Sequence, residues 1–93
     1  MALLDLLGRR WALRILWELR DRKLHFRALQ SACDEVSPSV LNALLAELRE
    51  ARLVELQPEG GYALTQQGRE LLSKLAPLAT WAGKWAGTVT SSK

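Results

Sequence analysis

Residues 37–51 read Ser-Pro-Ser-Val-Leu-Asn-Ala-Leu-Leu-Ala-Glu-Leu-Arg-Glu-Ala. Ser37 suits a helix cap, and Pro38 suits the first helical position, where its missing N–H costs nothing. Leu41, Leu44, Leu45 and Leu48 then recur at helical spacing and form one apolar stripe. The other face carries Ser39, Asn42, Ala43, Ala46, Glu47 and Glu50. It is small and polar, so it can approach another surface closely.

Upstream, Phe26 to Val36 forms a second short amphipathic segment, with Phe26, Leu29 and Ala32 or Cys33 expected inside. Two short helices joined by a tight polar turn, Asp34 to Ser37, are the plan of a helix-turn-helix. On that plan Ser37–Ala51 is the helix offered to a major groove.

Ninety-three residues make one domain, expected over 1–86 with a flexible C-terminal tail over 87–93. So short a chain buries a modest core, and an oligomeric partner would help it. The net charge of +3 is mild, but seven of the 13 basic residues fall between Arg9 and Arg27. The single cysteine, Cys33, excludes an internal disulfide and points to a reducing compartment. Met1–Leu7 is apolar but short, contains Asp5 and lacks a basic leader, which favours a helix over a signal peptide. No apolar run is long enough to span a bilayer, so a cytoplasmic protein without a membrane partner is expected.

Ala2–Leu7 is apolar nearly all round, and Gly8 is a plausible break. Arg9–Arg20 is expected as a helix with Trp11, Ala12, Ile15, Leu16 and Leu19 on one broad face. Leu13 and Trp17 form an adjacent pair, for a partner or for a neighbouring helix. Lys23–His25 is expected as a very short strand. After Ala51 the period changes: Leu53–Gln57 alternates with Val54 and Leu56 on one face, and Tyr62–Leu64 alternates again. The Pro58–Gly61 turn between them completes a β-hairpin, the wing of a winged helix-turn-helix. Thr65 suits the cap of a last helix whose stripe is Leu71, Leu72, Leu75, Leu78 and Ala79. Pro77 should kink or briefly break it. Trp81 and Trp85 are again one turn apart, and Gly87–Lys93 should fray. The fold expected is mainly α with a small β-hairpin wing.

In order along the chain stand Gly8-Arg-Arg-Trp11, Ile15-Leu16, Leu19, His25-Phe26, Leu29, Val36-Ser37, Val40-Leu41, Leu45, Glu47-Leu48 and Ala51-Arg-Leu-Val54. Tyr62-Ala-Leu-Thr-Gln-Gln-Gly-Arg-Glu-Leu71 and Trp81 follow. The ordered set resembles the HxlR-type winged helix-turn-helix transcriptional regulators, within the group that includes the MarR type, from about Leu3 to Trp85. The most specific piece matches a Tyr-x-Leu-Thr-x-x-Gly-x-x-Leu pattern. The resemblance implies a homodimer on operator DNA, paired through its N- and C-terminal helices. Leu3, Leu4, Leu7, Trp17, Trp81 and Trp85 are the interface residues expected here. Trp81 and Trp85 at helical spacing fit an interface better than a ligand pocket.

The chain also departs from the family. Relatives often carry basic residues around the positions of Ser39, Leu44 and Ala46, and a longer, more basic wing than Gln57–Gly61 with its Glu59. They commonly have Gly in place of Arg52; if that site needs positive φ, Arg52 is strained by about 1 kcal/mol. Redox-sensing relatives often carry a cysteine ahead of the first helix, and this chain has none there.

DNA binding needs cations for phosphates and groups that read bases. Ser39 and Asn42 are the candidate readers, since Asn pairs bidentately with adenine. Ser37 is placed beside them at the helix start. Arg22, Lys23, Arg27 and Arg49 are the phosphate candidates, Arg52 a weaker one. Arg9, Arg10 and Arg14 belong to the helix assigned to the interface and are expected to face elsewhere. Cys33, beside Asp34 and Glu35, reads as a small buried residue rather than a redox switch. His25 is expected to pack on Phe26 or to bond to DNA. One Cys and one His give no metal-site spacing, and no cofactor is expected. No nucleophile-base pair or phosphate loop is present in the pattern, which argues against an enzyme. The rival reading is a protein-interaction or dimerisation module on the same fold that binds DNA weakly, motivated by the acidic wing and neutral helix face.

Overall fold

A computed structural model describes residues 5–6 and 8–91. In order it contains α1 (Ala12–Glu18), α2 (Phe26–Ala32), α3 (Pro38–Glu50), β1 (Val54–Leu56), β2 (Tyr62–Leu64) and α4 (Gln66–Ser91). Asp5 and Leu6 are helical as well, and Leu6 joins the core. Leu3, Leu4 and Leu7 lie outside the described residues. Among the described residues no helix is long and apolar enough to cross a membrane.

The leucine stripe of α3 is the centre of the core. Leu41, Leu44, Leu45 and Leu48 meet Ile15, Leu16 and Leu19 of the first helical region, Leu29 and Cys33 of the second, and Leu53, Val54 and Leu64 of the hairpin in one buried cluster. The two helices of the motif are joined by a turn in which Asp34 and Glu35 both take left-handed φ, 56° and 58°. The Gln30 side chain fastens that turn, its amide nitrogen donating to the Val36 carbonyl at 2.9 Å. Leu29 and Cys33 are fully buried, whereas Phe26 and Ala32 are half-buried.

Helix α1 begins at Ala12 rather than Arg9, because Trp11 adopts φ 77°, which a right-handed helix cannot continue. Ala12, Ile15, Leu16 and Leu19 form its buried side, and Leu13 and Trp17 stand exposed beside it. The expected short strand is a bridge at Leu24, which exchanges backbone hydrogen bonds with Tyr62 at 3.0 and 2.7 Å.

The hairpin is antiparallel, with Val54 opposite Leu64, Glu55 opposite Ala63 and Leu56 opposite Tyr62. Val54 is buried but Leu56 is exposed, so only the inner end of β1 reaches the core. At the wing tip Gly60 has φ 102°, and its N–H donates to the Gln57 carbonyl at 2.9 Å.

Thr65 caps α4: its hydroxyl oxygen accepts from the Gly68 N–H at 3.0 Å. Gly68 sits so close to β1 that a Cβ there would lie 2.1 Å from the Leu53 carbonyl oxygen. The helix then runs unbroken past Pro77. Half-buried Leu71, Leu72 and Leu75 anchor the turns before the proline, and strong helix formers flank it. The helical backbone continues through Gly87 to Ser91.

Candidate nucleic-acid interface

The exposed face of α3 is displayed by the burial of its opposite side. At 3.6 residues per turn the four leucines occupy one side. Val40 and Glu47 lie along one edge of the exposed face and Asn42 and Arg49 along the other, with Ser39, Ala43, Ala46 and, in the last turn, Glu50 between them. All of these are exposed except Glu47, which is half-buried. Ahead of Glu50, small side chains in the middle of the face let the backbone come close to a partner. The first turn contains no acidic residue, and Arg49 stands in the last turn. The helix start therefore keeps the partial positive charge of its free N–H groups.

Ser37 has a structural duty. Its Oγ accepts from the Val40 N–H at 3.3 Å and lies 3.4 Å from the Ser39 Oγ. The cap therefore starts the helix with Ser39 close beside it.

The four phosphate candidates divide into two kinds. Arg22 donates to Glu18 at 3.0 Å, and Arg14 holds the same carboxylate at 2.8 Å. Hydrogen bonds from Arg14, then Arg22, hold the Glu18 carboxyl below its ordinary range. Lys23 Nζ meets Glu59 Oε1 of the wing at 2.9 Å. That ammonium is the largest cause of a lowered Glu59 pKa. Arg27 and Arg49 are exposed and make no ion pair among the described residues. They are the open cations of the set.

His25 braces the wing. Its Nε2 lies 3.2 Å from the Glu59 carbonyl oxygen, and its ring sits beneath Gly60 and Gly61, where added Cβ atoms would lie 3.5 and 3.7 Å away. Gln30 and the Arg9–Glu47 pair escaped the sequence reading. Gln30 had a signal, a polar residue beside Leu29 on the inner side of its helix. The 3.0 Å contact between Arg9 and Glu47 joins distant exposed charges and had none.

A second surface lies between α1 and α4. Leu13, Trp17, Leu72, Leu75, Leu78 and Ala82 line an apolar groove there. Trp17, Trp81 and Trp85 are 44, 58 and 55% exposed. Trp81 and Trp85 stack with ring centroids 6.4 Å apart, and the Arg20 guanidinium lies 4.0 Å from the Trp17 ring centroid. Cys33 is buried far into the core, and burial pushes its thiol pKa up. Among the described residues no cluster of three His, Cys, Asp or Glu side chains could hold a metal ion.

Residues 6–90 match the family model for the HxlR-like helix-turn-helix. The chain is 30% identical over 87 residues to the HTH-type transcriptional regulator YvaP of Bacillus subtilis, covering 87% of this chain and 81% of that protein. Among solved structures, quinone-bound YodB of Bacillus subtilis superposes with a TM-score of 0.79 at 30% identity, covering 86% of this chain and 90% of that one. A MarR-family regulator of Enterococcus faecalis superposes with a TM-score of 0.79 at 29% identity, covering 97% and 86%.

Proposed function

The chain belongs to the HxlR-like helix-turn-helix family of transcriptional regulators, not to an enzyme family, and from that membership we propose that it is a sequence-specific regulator that binds double-stranded DNA as a homodimer in the cytoplasm. Each subunit places Ser37–Ala51 in a major groove, one helical turn from its mate, so the operator is roughly palindromic. Ser39 and Asn42 read base edges, Ser37 caps the helix beside Ser39, and Arg27 and Arg49 hold phosphates. Arg22 and Lys23 contribute less, because Glu18 and Glu59 already occupy them.

The observation that carries this reading is the arrangement of α3. Four leucines are buried on one side, and the polar Ser39 and Asn42 and the small Ala46 are exposed with Arg49 on the other. Nothing in the core requires that polarity. Trp17, Trp81 and Trp85 beside an apolar groove support the homodimer, since aromatic residues are enriched at such interfaces.

Selection of bound duplexes from a random-sequence pool tests the proposal. A recovered inverted repeat is expected. Recovery of no preferred sequence would favour the weak-binding interaction module.

A further inference from the structure

The Gly8–Trp11 turn places two arginines beside the recognition helix. Trp11 takes φ 77°, which turns the chain sharply before α1. Arg9 emerges from this turn and reaches Glu47 of α3 at 3.0 Å. Arg10 lies over the Trp11 ring, 5.4 Å from its centroid, and makes no ion pair among the described residues. Arg9 and Arg10 line a groove whose other side includes Ser39, Val40 and Ala43 of α3. They therefore run along the Val40–Glu47 edge, the side opposite Asn42 and Arg49.

A major groove is about 12 Å wide, and a helix with its side chains is about 10–12 Å across. A seated helix therefore has a phosphate strand along each edge. Arg49 serves one edge. The opposite edge of α3 itself offers only Val40 and Glu47, and neither can hold a phosphate. Arg9 and Arg10 supply the missing cations from another part of the chain. We propose that Arg9 and Arg10 form a phosphate-binding site for the second DNA strand, with the Trp11 ring ordering Arg10 and Glu47 holding Arg9 in reserve. This rests on the reading of the chain as a DNA-binding regulator.

Stacking on an aromatic ring suits a planar guanidinium and leaves its N–H edge free for phosphate oxygens. Glu47 competes for Arg9, so the site is weaker than its two positive charges suggest. The two residues thus answer differently to substitution. Removing Arg10 removes a contact, whereas removing the charge of Glu47 adds one.

The test is binding to a random-sequence duplex, measured by fluorescence anisotropy from 50 to 200 mM salt, for the unchanged chain, Arg10→Ala, Arg10→Lys and Glu47→Gln. Arg10→Ala should weaken binding and lower the slope of log affinity against log salt by about 0.9. Its deficit should shrink about 3.5-fold across that salt range. Arg10→Lys should keep the slope, and Glu47→Gln should steepen it by about 0.9. Unchanged slopes for Arg10→Ala and Glu47→Gln, with the unchanged chain binding normally, would overturn the site and leave the DNA-binding reading intact. Absence of salt-dependent binding by the unchanged chain would overturn both.

Discussion

The Thr65 hydroxyl donates to the Arg52 carbonyl at 2.6 Å. The same oxygen accepts from the Gly68 N–H, and the Thr65 N–H donates to the Leu53 carbonyl at 3.1 Å. One residue thus joins the end of the recognition helix, the base of the wing and the start of α4. Thr65→Ala should cost about 1–2 kcal/mol through the lost cap, and Thr65→Ser should recover most of it. Gly68→Ala should cost about 1–3 kcal/mol or more, since its methyl would have to displace the backbone at Leu53. Denaturant unfolding with an unchanged m-value checks both.

The Lys23–Glu59 pair should restrain DNA binding. Glu59→Gln frees Lys23, so it should tighten binding to random duplex and steepen the salt slope by about 0.9. Glu59→Lys should tighten it further. The pH dependence follows from the lowered Glu59 pKa. A depressed carboxylate is paired above its ordinary range and loses the pair as pH falls through its folded value. Lys23 is therefore released only in acid. A titration by NMR should place the Glu59 carboxyl lower in the unchanged chain than in Lys23→Ala.

Cys33 should resist modification. Its thiol is fully buried, and desolvation raises its pKa, so the thiolate is scarce at neutral pH. Alkylation by iodoacetamide at pH 8 should be slow in the folded chain and fast in urea. Peroxide treatment should leave DNA binding unchanged. Rapid alkylation of the folded chain would show that the core opens around this residue.

The exposed tryptophans predict self-association. Sedimentation equilibrium at micromolar concentration should give a mass of twice 10.4 kDa. Trp81→Ala combined with Trp85→Ala should shift the equilibrium towards monomer, because each removes a large apolar surface. A clean monomer for the unchanged chain would contradict the dimer.

Features of the fold with a local signature were legible in the sequence. The α3 stripe, its Ser37–Pro38 start, the hairpin and the Thr65 cap each follow from neighbouring residues. Arg52 belongs with them: its φ of 63° is the left-handed conformation that the place of a family glycine implied. What could not be read depended on tertiary context. Trp11 in a left-handed turn shortened α1, and bulky aromatic residues carry no signal for that conformation. The pairings of Arg9 with Glu47 and Lys23 with Glu59 join exposed charges far apart in sequence, and such charges show no periodicity. Of the phosphate candidates, only the structure separates the occupied Arg22 and Lys23 from the open Arg27 and Arg49.

If α3 reads sequence while cations outside its base-reading strip hold the duplex, the two kinds of residue should respond differently to substitution. Asn42 is exposed one turn into α3 and carries no charge for a phosphate, whereas Arg27 is an exposed, unpaired cation among the described residues at the start of α2. The direct measurement is binding of Asn42→Ala and Arg27→Ala to the selected duplex and to random duplex at several salt concentrations. Asn42→Ala should cost about 1–3 kcal/mol on the selected duplex and almost nothing on random DNA. Arg27→Ala should weaken both equally and lower the salt slope by about 0.9. An Asn42→Ala chain that keeps its full preference for the selected duplex would show that α3 is not the reader.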